Sequence, residues 1–524
     1  MNDQSARRGR RSGGRNGGAG RRARAGGLSQ PPWSVPVITD APVEPLDGDG
    51  VAAIHDGAMR ILEEIGIEFL NEEALDLFRR AGARVEDQRV WLGRDFVMEM
   101  VAKAPDHFTI TPRNPDRTLT MGAGHLNFAA VASPPNYWDM ETGKVAGTRA
   151  QCQDLLRLTQ AMNCLHFNGG YPVEPVDVHA SVRHLDVVHD MLTLTDKVVH
   201  AYSLGPERVE DVMEMVKIAA GLDEDAFRAK PHMFTNINST SPLKHDQPMI
   251  DGCLRAVRRG QAVVVTPFTL AGAMAPVTLS GAVAQSIAEA LSAIALFQWV
   301  APGSACMIGT FTSNVDMKSG APAFGTPEYM RATHMTGQMA RFYGLPLRAS
   351  GSCAANVPDG QAMWETSQAL WSAVQSGTTM VYHAAGWLEG GLIASPEKLL
   401  MDCEILHQIT RYFEPALTAT GPGDIAFDAI AEVDGLPASE RHFFGVEHTQ
   451  SRYETAFYQP FLSDWQNYEG WDLAGGVWTH ERAHRLFKEI VANFEAPAMD
   501  DDRAEALGAF VERRKAEGGA PTDF

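Results

Sequence analysis

The chain has 524 residues, 44% hydrophobic and 21% charged, which allows roughly two to four domains or one large barrel with additions. A formal net charge of −20 excludes nucleic acid and anionic membranes as partners for most of its surface. Six scattered cysteines (Cys152, Cys164, Cys253, Cys306, Cys353, Cys403), with no CxxC pair, suit free thiols in a reducing compartment rather than a disulfide framework.

Residues 1–30 are Arg- and Gly-rich with almost nothing apolar, so a disordered, solvated tail is expected. RRGRR raises a twin-arginine export signal, but no apolar h-region follows it and none is expected to act. No apolar run approaches the ~18 residues of a membrane span, and a cytoplasmic protein is the expectation. After PPWSVPV, the run VAAIHDGAMRILEEIGIEF sets Ile54, Ala58, Ile61, Leu62 and Ile65 at helical spacing. FTITP and LTM alternate, and NPDR and ETGK read as turns, so short strands are expected over 106–147, and residues 48–125 are expected to form a helical and short-strand extension.

From residue 126 a slower rhythm begins. Short β-prone runs stand at 126–133, 164–170, 198–204, 232–238, 262–270, 305–312, 345–352 and 378–385, with helical patterns between most of them. Eight strands at intervals of roughly 30–45 residues, alternating with helices, predict an α/β chain with a (β/α)8 TIM barrel over 126–410. Residues 411–524 are expected to complete the barrel surface with helices. An open doubly wound sheet is the alternative, but neither GxGxxG at a strand–helix junction nor a P-loop is present.

Barrel active sites lie at the carboxyl ends of strands. Those ends carry Asn168, Tyr202, Ser203, Asn236, Asn238, Thr266, Phe268, Thr310, Thr312, Ser350, Ser352, Tyr382 and His383. Strand ends are also polar because they meet solvent, so the set carries more weight than any member. In SGSCAANVPDGQ (350–361), Ser350, Ser352, Cys353 and Asn356 are pocket-lining candidates, and Asp359 reads either as a helix cap or as a site residue. In MVYHAAGWLEGG, Tyr382, Trp387 and the carboxylate of Glu389 suit a quaternary ammonium, held by cation–π attraction and charge. Packing is the competing role for both aromatic residues. No HExxH, CxxC or GxSxG is present, so neither a metal site nor a serine hydrolase is expected. His179, His184 and His189 recur every five residues, drift around a helix and are expected to be surface or partner-facing. DVHASV begins like a cobalamin-binding DxHxxG but has Val182 at the glycine position.

Three long stretches resemble the trimethylamine methyltransferase family: 265–309, 356–405 and 448–476 with its HT, aromatic-Pro-Leu and YExW elements. ILEEIGIEF fits as well, and the similarity spans about residues 48 to 500. The resemblance implies a barrel that demethylates an amine, with the Co(I) corrinoid (cobalamin) of a separate small protein as acceptor and no cofactor bound by the chain itself. Family members acting on trimethylamine carry pyrrolysine near the strand end that here reads ASGSCAAN, and this chain has none. It therefore resembles the branch that acts on quaternary amines such as glycine betaine, whose nitrogen leaves neutral without a general acid.

Under that reading Tyr382, Trp387 and Phe268 are cage candidates. His383, Asn236, Asn238 and Ser352 would hydrogen-bond the polar end, with Arg348 as carboxylate partner if it points inward. Thr310 and Thr312 would line the pocket, and Glu389 would stand behind it or face the carrier. Met363 and Trp364 read as packing residues. A homo-oligomer is expected. Demethylation of a sulfonium or tertiary amine, or a non-catalytic betaine-binding barrel, are the alternatives, and a barrel lyase or aldolase is weaker for want of a strand-end lysine.

Overall fold

Each β-prone run is short and buried on both faces, and such strands pair in parallel only when helices cover them. In the computed structural model, which describes residues 24–25 and 28–522, they close into one barrel. Its strands are β1 (Asn127–Ala130), β2 (the single bridge residue Phe167), β3 (Val199–Tyr202), β4 (Met233–Ile237), β5 (Ala262–Val265), β6 (Cys306–Gly309), β7 (Leu347–Ser350) and β8 (Met380–Ala385). All neighbours are parallel, β8 pairs with β1, and Phe167 bridges β1 to Val198 beside β3. The second strand is a single residue, and the glycines that follow it pack closely on side chains of other strands. A Cβ on Gly170 would stand 2.2 Å from the Tyr202 hydroxyl.

The following helices are α1 (Arg149–Ala161), α2 (Arg183–Leu194), α3 (Pro206–Ala220), α4 (Gln247–Arg258), α5 (Leu279–Val300), α6 (Pro327–Tyr343), α7 (Gly360–Gln375) and α8 (Pro396–Tyr412). Strand alternation divides the core in two. Along β5, Val263 and Val265 join the cluster under the helices, whereas Ala262 and Val264 join a separate cluster inside the barrel. The interior cluster includes Phe167, Phe234, Met307 and Met380. Its floor is the hairpin Phe108–Ile110/Leu119–Met121, which adds Ile110, Leu119 and Met121.

The opposite end, where the strands terminate, is framed by two small sheets. One joins the hairpin Asn136–Asp139/Gly143–Ala146 to Ile393–Ala394 and Trp387–Leu388. The other joins Leu270–Ala271, Ser313–Val315 and Pro322–Ala323. Helix α5 is the one helix among the described residues long and apolar enough to cross a membrane, yet most of it is buried, with helices Gly48–Arg60 and Arg94–Val101 packed against it. At the carboxyl side, Thr479–Ala492 packs on α8 and α1, and Asp501–Ala516 on α2 and α3. Of the tail expected to be disordered, 1–23 and 26–27 lie outside the described residues, whereas, against expectation, Arg24–Ala25 pairs with Leu28–Ser29, and Leu28 and Gln30 are buried.

Candidate functional site at the barrel mouth

The inward-facing residues at the strand ends build the site in two layers. In the deeper layer, Arg348 of β7 points into the barrel, its guanidinium carbon 4.5 Å from the centre of the Tyr382 ring and 5.3 Å from that of Phe311. Nη1 donates a long bond of 3.4 Å to the Thr310 carbonyl, and Nε has no partner. Among the described residues no carboxylate pairs with this buried cation, and burial pulls its pKa down to about 10. His200 of β3 lies against Tyr202 and Phe234, with ring centroids 4.7 and 5.0 Å away. Burial, with Arg348 adding, holds His200 neutral at a pKa of about 3.

Buried polar atoms almost always find partners. Along β3, β6, β7 and β8 seven are buried without one: His200 Nδ1 and Nε2, Thr310 Oγ1, Arg348 Nε, Ser350 Oγ, Ser352 Oγ and Tyr382 OH. They come from β3, β8, and the carboxyl ends of β6 and β7, one arc of the barrel.

The other arc is different. Thr266 Oγ1 donates to Asn236 Oδ1 at 3.0 Å, Asn236 Nδ2 to Asn238 Oδ1 at 2.7 Å, and Asn238 Nδ2 to the Thr266 carbonyl at 2.8 Å. Thr312 pairs with Thr269 through their hydroxyls at 2.6 Å. Ser203 donates to the Asn236 carbonyl; Asn168, beside the Phe167 bridge, donates through Nδ2 to Thr195 Oγ1 at 2.9 Å, and its Oδ1 has no partner.

The outer layer is aromatic. Phe268, half-buried, lies 5.0 Å from Phe311, which stacks on Phe324 at 5.3 Å and meets Trp387 at 6.1 Å and His383 at 6.2 Å. A bulge in β8, whose register to β1 shifts between Val381 and Ala385, brings His383 there. His383 has φ 51°, a left-handed conformation that a non-glycine residue adopts at some cost. This lets Tyr382 reach the interior while its neighbour His383 also meets the mouth aromatics, against ordinary strand alternation. His383 Nδ1 accepts from the Ala132 N–H at 3.2 Å, so the neutral ring carries its proton on Nε2. Burial, then Arg348 and His200, hold its pKa well below the usual value.

The remaining candidates frame the mouth. Trp387 Nε1 donates to the Cys353 carbonyl and Cys353 Sγ to the Trp387 carbonyl, both at 3.0 Å, so the two residues clasp one another. Burial raises the Cys353 thiol to about 11. Glu389 is engaged by Lys144 at 2.5 Å, from the facing hairpin. Asp359 caps α7, accepting from the Ala362 N–H at 3.2 Å, and Asn356 is exposed. Against expectation, His184 is not at the surface: it is buried and shares Asp211 with Arg514, His184 Nε2 standing 2.9 Å away. No group of three or more His, Cys, Asp or Glu residues among the described ones is placed to hold a metal.

His200, Phe311 and Phe324 were not singled out from the sequence. His200 stands two residues before Tyr202 and so on its face of β3, a usable signal. Phe311 and Phe324 lie beyond β6, and only the folded loop brings them to Trp387.

An eight-stranded α/β barrel whose mouth holds an unpaired guanidinium under an aromatic rim is built to bind a small organic molecule at its strand ends. The chain belongs to the trimethylamine methyltransferase family and is a methyltransferase: the family model described as "Trimethylamine methyltransferase (MTTB)" matches residues 10–519. It is 34% identical over 475 residues to a glycine betaine methyltransferase of Desulfitobacterium hafniense (strain Y51), covering 90% of this chain and 98% of that one. It is 27% identical to a trimethylamine methyltransferase MttB of Desulfitobacterium hafniense (strain DSM 10664 / DCB-2), covering 92% and 98%. Among solved structures, the hydroxylamine MtmB complex aligns over 90% of both chains at 11% identity and a TM-score of 0.48.

Proposed function

We propose that the protein moves a methyl group from a carboxylate-bearing quaternary amine of the glycine betaine type to the reduced corrinoid of a separate carrier protein. No corrinoid belongs to this chain in that reading, and the carrier's corrinoid is a co-substrate that supplies the attacking nucleophile. Family membership and the named activity of the 34%-identical relative support the reaction class. The buried, unpaired Arg348 carries the substrate class. A cation without a counter-ion in a low-dielectric site costs several kcal/mol, and a substrate carboxylate offsets that cost through a charge-assisted hydrogen bond.

With the carboxylate at Arg348, the ammonium sits outward, among Phe268, Phe311, Trp387 and His383. Neutral His383 and His200 add no positive charge beside it, so attraction comes from aromatic faces. Glu389, a nearby carboxylate, is engaged by Lys144. This balance favours reaction, because positive charge on nitrogen disappears in the transition state and a carboxylate at that end would hold the ground state more tightly. The C–N bond breaks with its electron pair staying on nitrogen, the methyl passes outward to the carrier, and a neutral tertiary amine leaves. No proton is transferred, so the chain's residues position the substrate and exclude water. The six free, buried cysteines support a cytoplasmic location.

The test is methyl transfer to a reduced corrinoid protein with glycine betaine, longer betaines, a dimethylsulfonio acid, choline and trimethylamine. Turnover confined to carboxylate-bearing onium compounds is expected. Equal or faster turnover of choline or trimethylamine overturns the substrate class, and betaine binding without turnover overturns the reaction.

A further inference from the structure

Behind the segment that carries Trp387 lies the most deeply buried ion pair among the described residues. Lys398 and Asp402, one turn apart on α8, have side chains 0% and 1% exposed. Lys398 Nζ pairs with Asp402 Oδ1 and donates to Thr366 Oγ1 of α7 at 2.8 Å. Asp402 Oδ2 accepts from the Gly386 N–H at 2.9 Å, so each carboxylate oxygen has its own partner. A pair of this kind does little for stability, because taking both charges out of water costs about what their attraction returns. Its use lies in what it holds.

Gly386 is the joint between two rim residues. It follows the bulge of β8 and stands between His383 and Trp387, and its N–H is bonded by Asp402 in place of a neighbouring strand. Its φ of 96° suits glycine, and a Cβ there would stand 3.0 Å from Val131 Cγ1 and 3.2 Å from Leu399 Cβ. Its carbonyl accepts from the N–H of Ser395, the N-cap of α8, at 3.1 Å. Ser395 and Asp402 are seven residues apart and share one face of the helix, so α8 grips both backbone polar groups of Gly386. Trp387 is fixed again by its clasp with Cys353, whose thiol lies within the field of both Lys398 and Asp402.

We propose that Asp402, oriented by Lys398, is a positioning residue: through Gly386 it sets the Trp387 and His383 rings at the mouth where they face the substrate's ammonium. This rests on the reading of the mouth as an onium site. Asp402 bonds Gly386 and Lys398 and acts on the substrate only through the rings. Those rings lie 4.2 Å apart, so a change at their joint moves both. Cation–π attraction needs the cation over the ring face, within about 6 Å of its centre. A displaced Trp387 therefore loses that attraction, while the carboxylate contact at Arg348 is untouched.

Calorimetry on the full chain with glycine betaine and with tert-butylacetate, its isostere with carbon in place of nitrogen, tests this. Both ligands carry the carboxylate, and only the betaine carries the cation. Wild type should favour the betaine by roughly tenfold or more. Lys398→Met with Asp402→Leu removes both charges and the acceptor for Gly386. It should bind the two ligands about equally, with its affinity for tert-butylacetate near that of wild type. Lys398→Met with Asp402→Asn keeps an acceptor and should keep the preference. A purely structural role would not move this ratio, since both affinities are measured on the same folded chain. A preference unchanged in the Leu variant, or lost in the Asn variant, overturns the proposal, and the second readout stands even where the Leu variant fails to fold. A wild type without the preference overturns the onium reading instead, and the proposal with it.

Discussion

The two arcs of the barrel mouth are equally polar in sequence and opposite in state. Around β4 and β5, Asn236, Asn238 and Thr266 satisfy one another in a closed ring of hydrogen bonds. Around β3, β7 and β8, Arg348, His200 and Tyr382 are more deeply buried and hold unpaired polar atoms. Only the second arc has interactions left to give a ligand. Polar residues at a strand end therefore divide into scaffold and site by their hydrogen bonding, not by their type.

The largest effect that can break this contrast comes from Arg348→Met. It should raise KM for a betaine by roughly 200- to 5,000-fold, the ~3–5 kcal/mol that a broken buried ion pair costs. The melting temperature should stay level or rise, because an uncompensated buried cation goes with it. A fall in stability with little change in KM would make Arg348 scaffold.

Asn236→Ala should do the reverse. It leaves Thr266 and Asn238 partners unpaired and should destabilise the fold by about 1–3 kcal/mol, read by denaturant unfolding, with KM changed less than the Arg348 variant changes it.

The pH profile sharpens the contrast further. Arg348 is a cation below about 10 and loses its charge above, so KM should rise as pH passes that value. His200 and His383 are already neutral at pH 7 and should add no limb between about 6.5 and 9. The smallest effect belongs to Asp359→Ala, which removes the α7 cap and should cost about 0.5–2 kcal/mol of stability.

The barrel was legible because β-branched and apolar runs of strand length recur between helical patterns, and all eight runs contain or border an observed pairing. The sequence did not indicate that the second strand survives only at Phe167, since Gly169 and Gly170 read as ordinary strand-end glycines until Tyr382 and Tyr202 are seen against them. Within the site, position at a strand end marked Ser350 and Tyr382 as candidates, and Arg348 was one on condition that it points inward, as it does. The bulge that lets Tyr382 and His383 both serve the site breaks alternation and leaves no composition signal. Phe311 and Phe324 reach Trp387 through loop geometry alone. The closed ring of Asn236, Asn238 and Thr266 was equally hidden: Asn236 and Asn238 read as ligand-binding residues because sequence shows donors and acceptors but not who uses them.

The central claim is that a buried guanidinium selects a carboxylate-bearing quaternary amine. Calorimetric titration of wild type and Arg348→Gln with glycine betaine and with choline tests it most directly, because choline keeps the trimethylammonium group and replaces the carboxylate with an alcohol. Wild type should bind glycine betaine at least 100-fold more tightly than choline, and Arg348→Gln should bind the two about equally, with the change confined to glycine betaine. Equal affinities in the wild type, or a preference for glycine betaine that survives in Arg348→Gln, would contradict it.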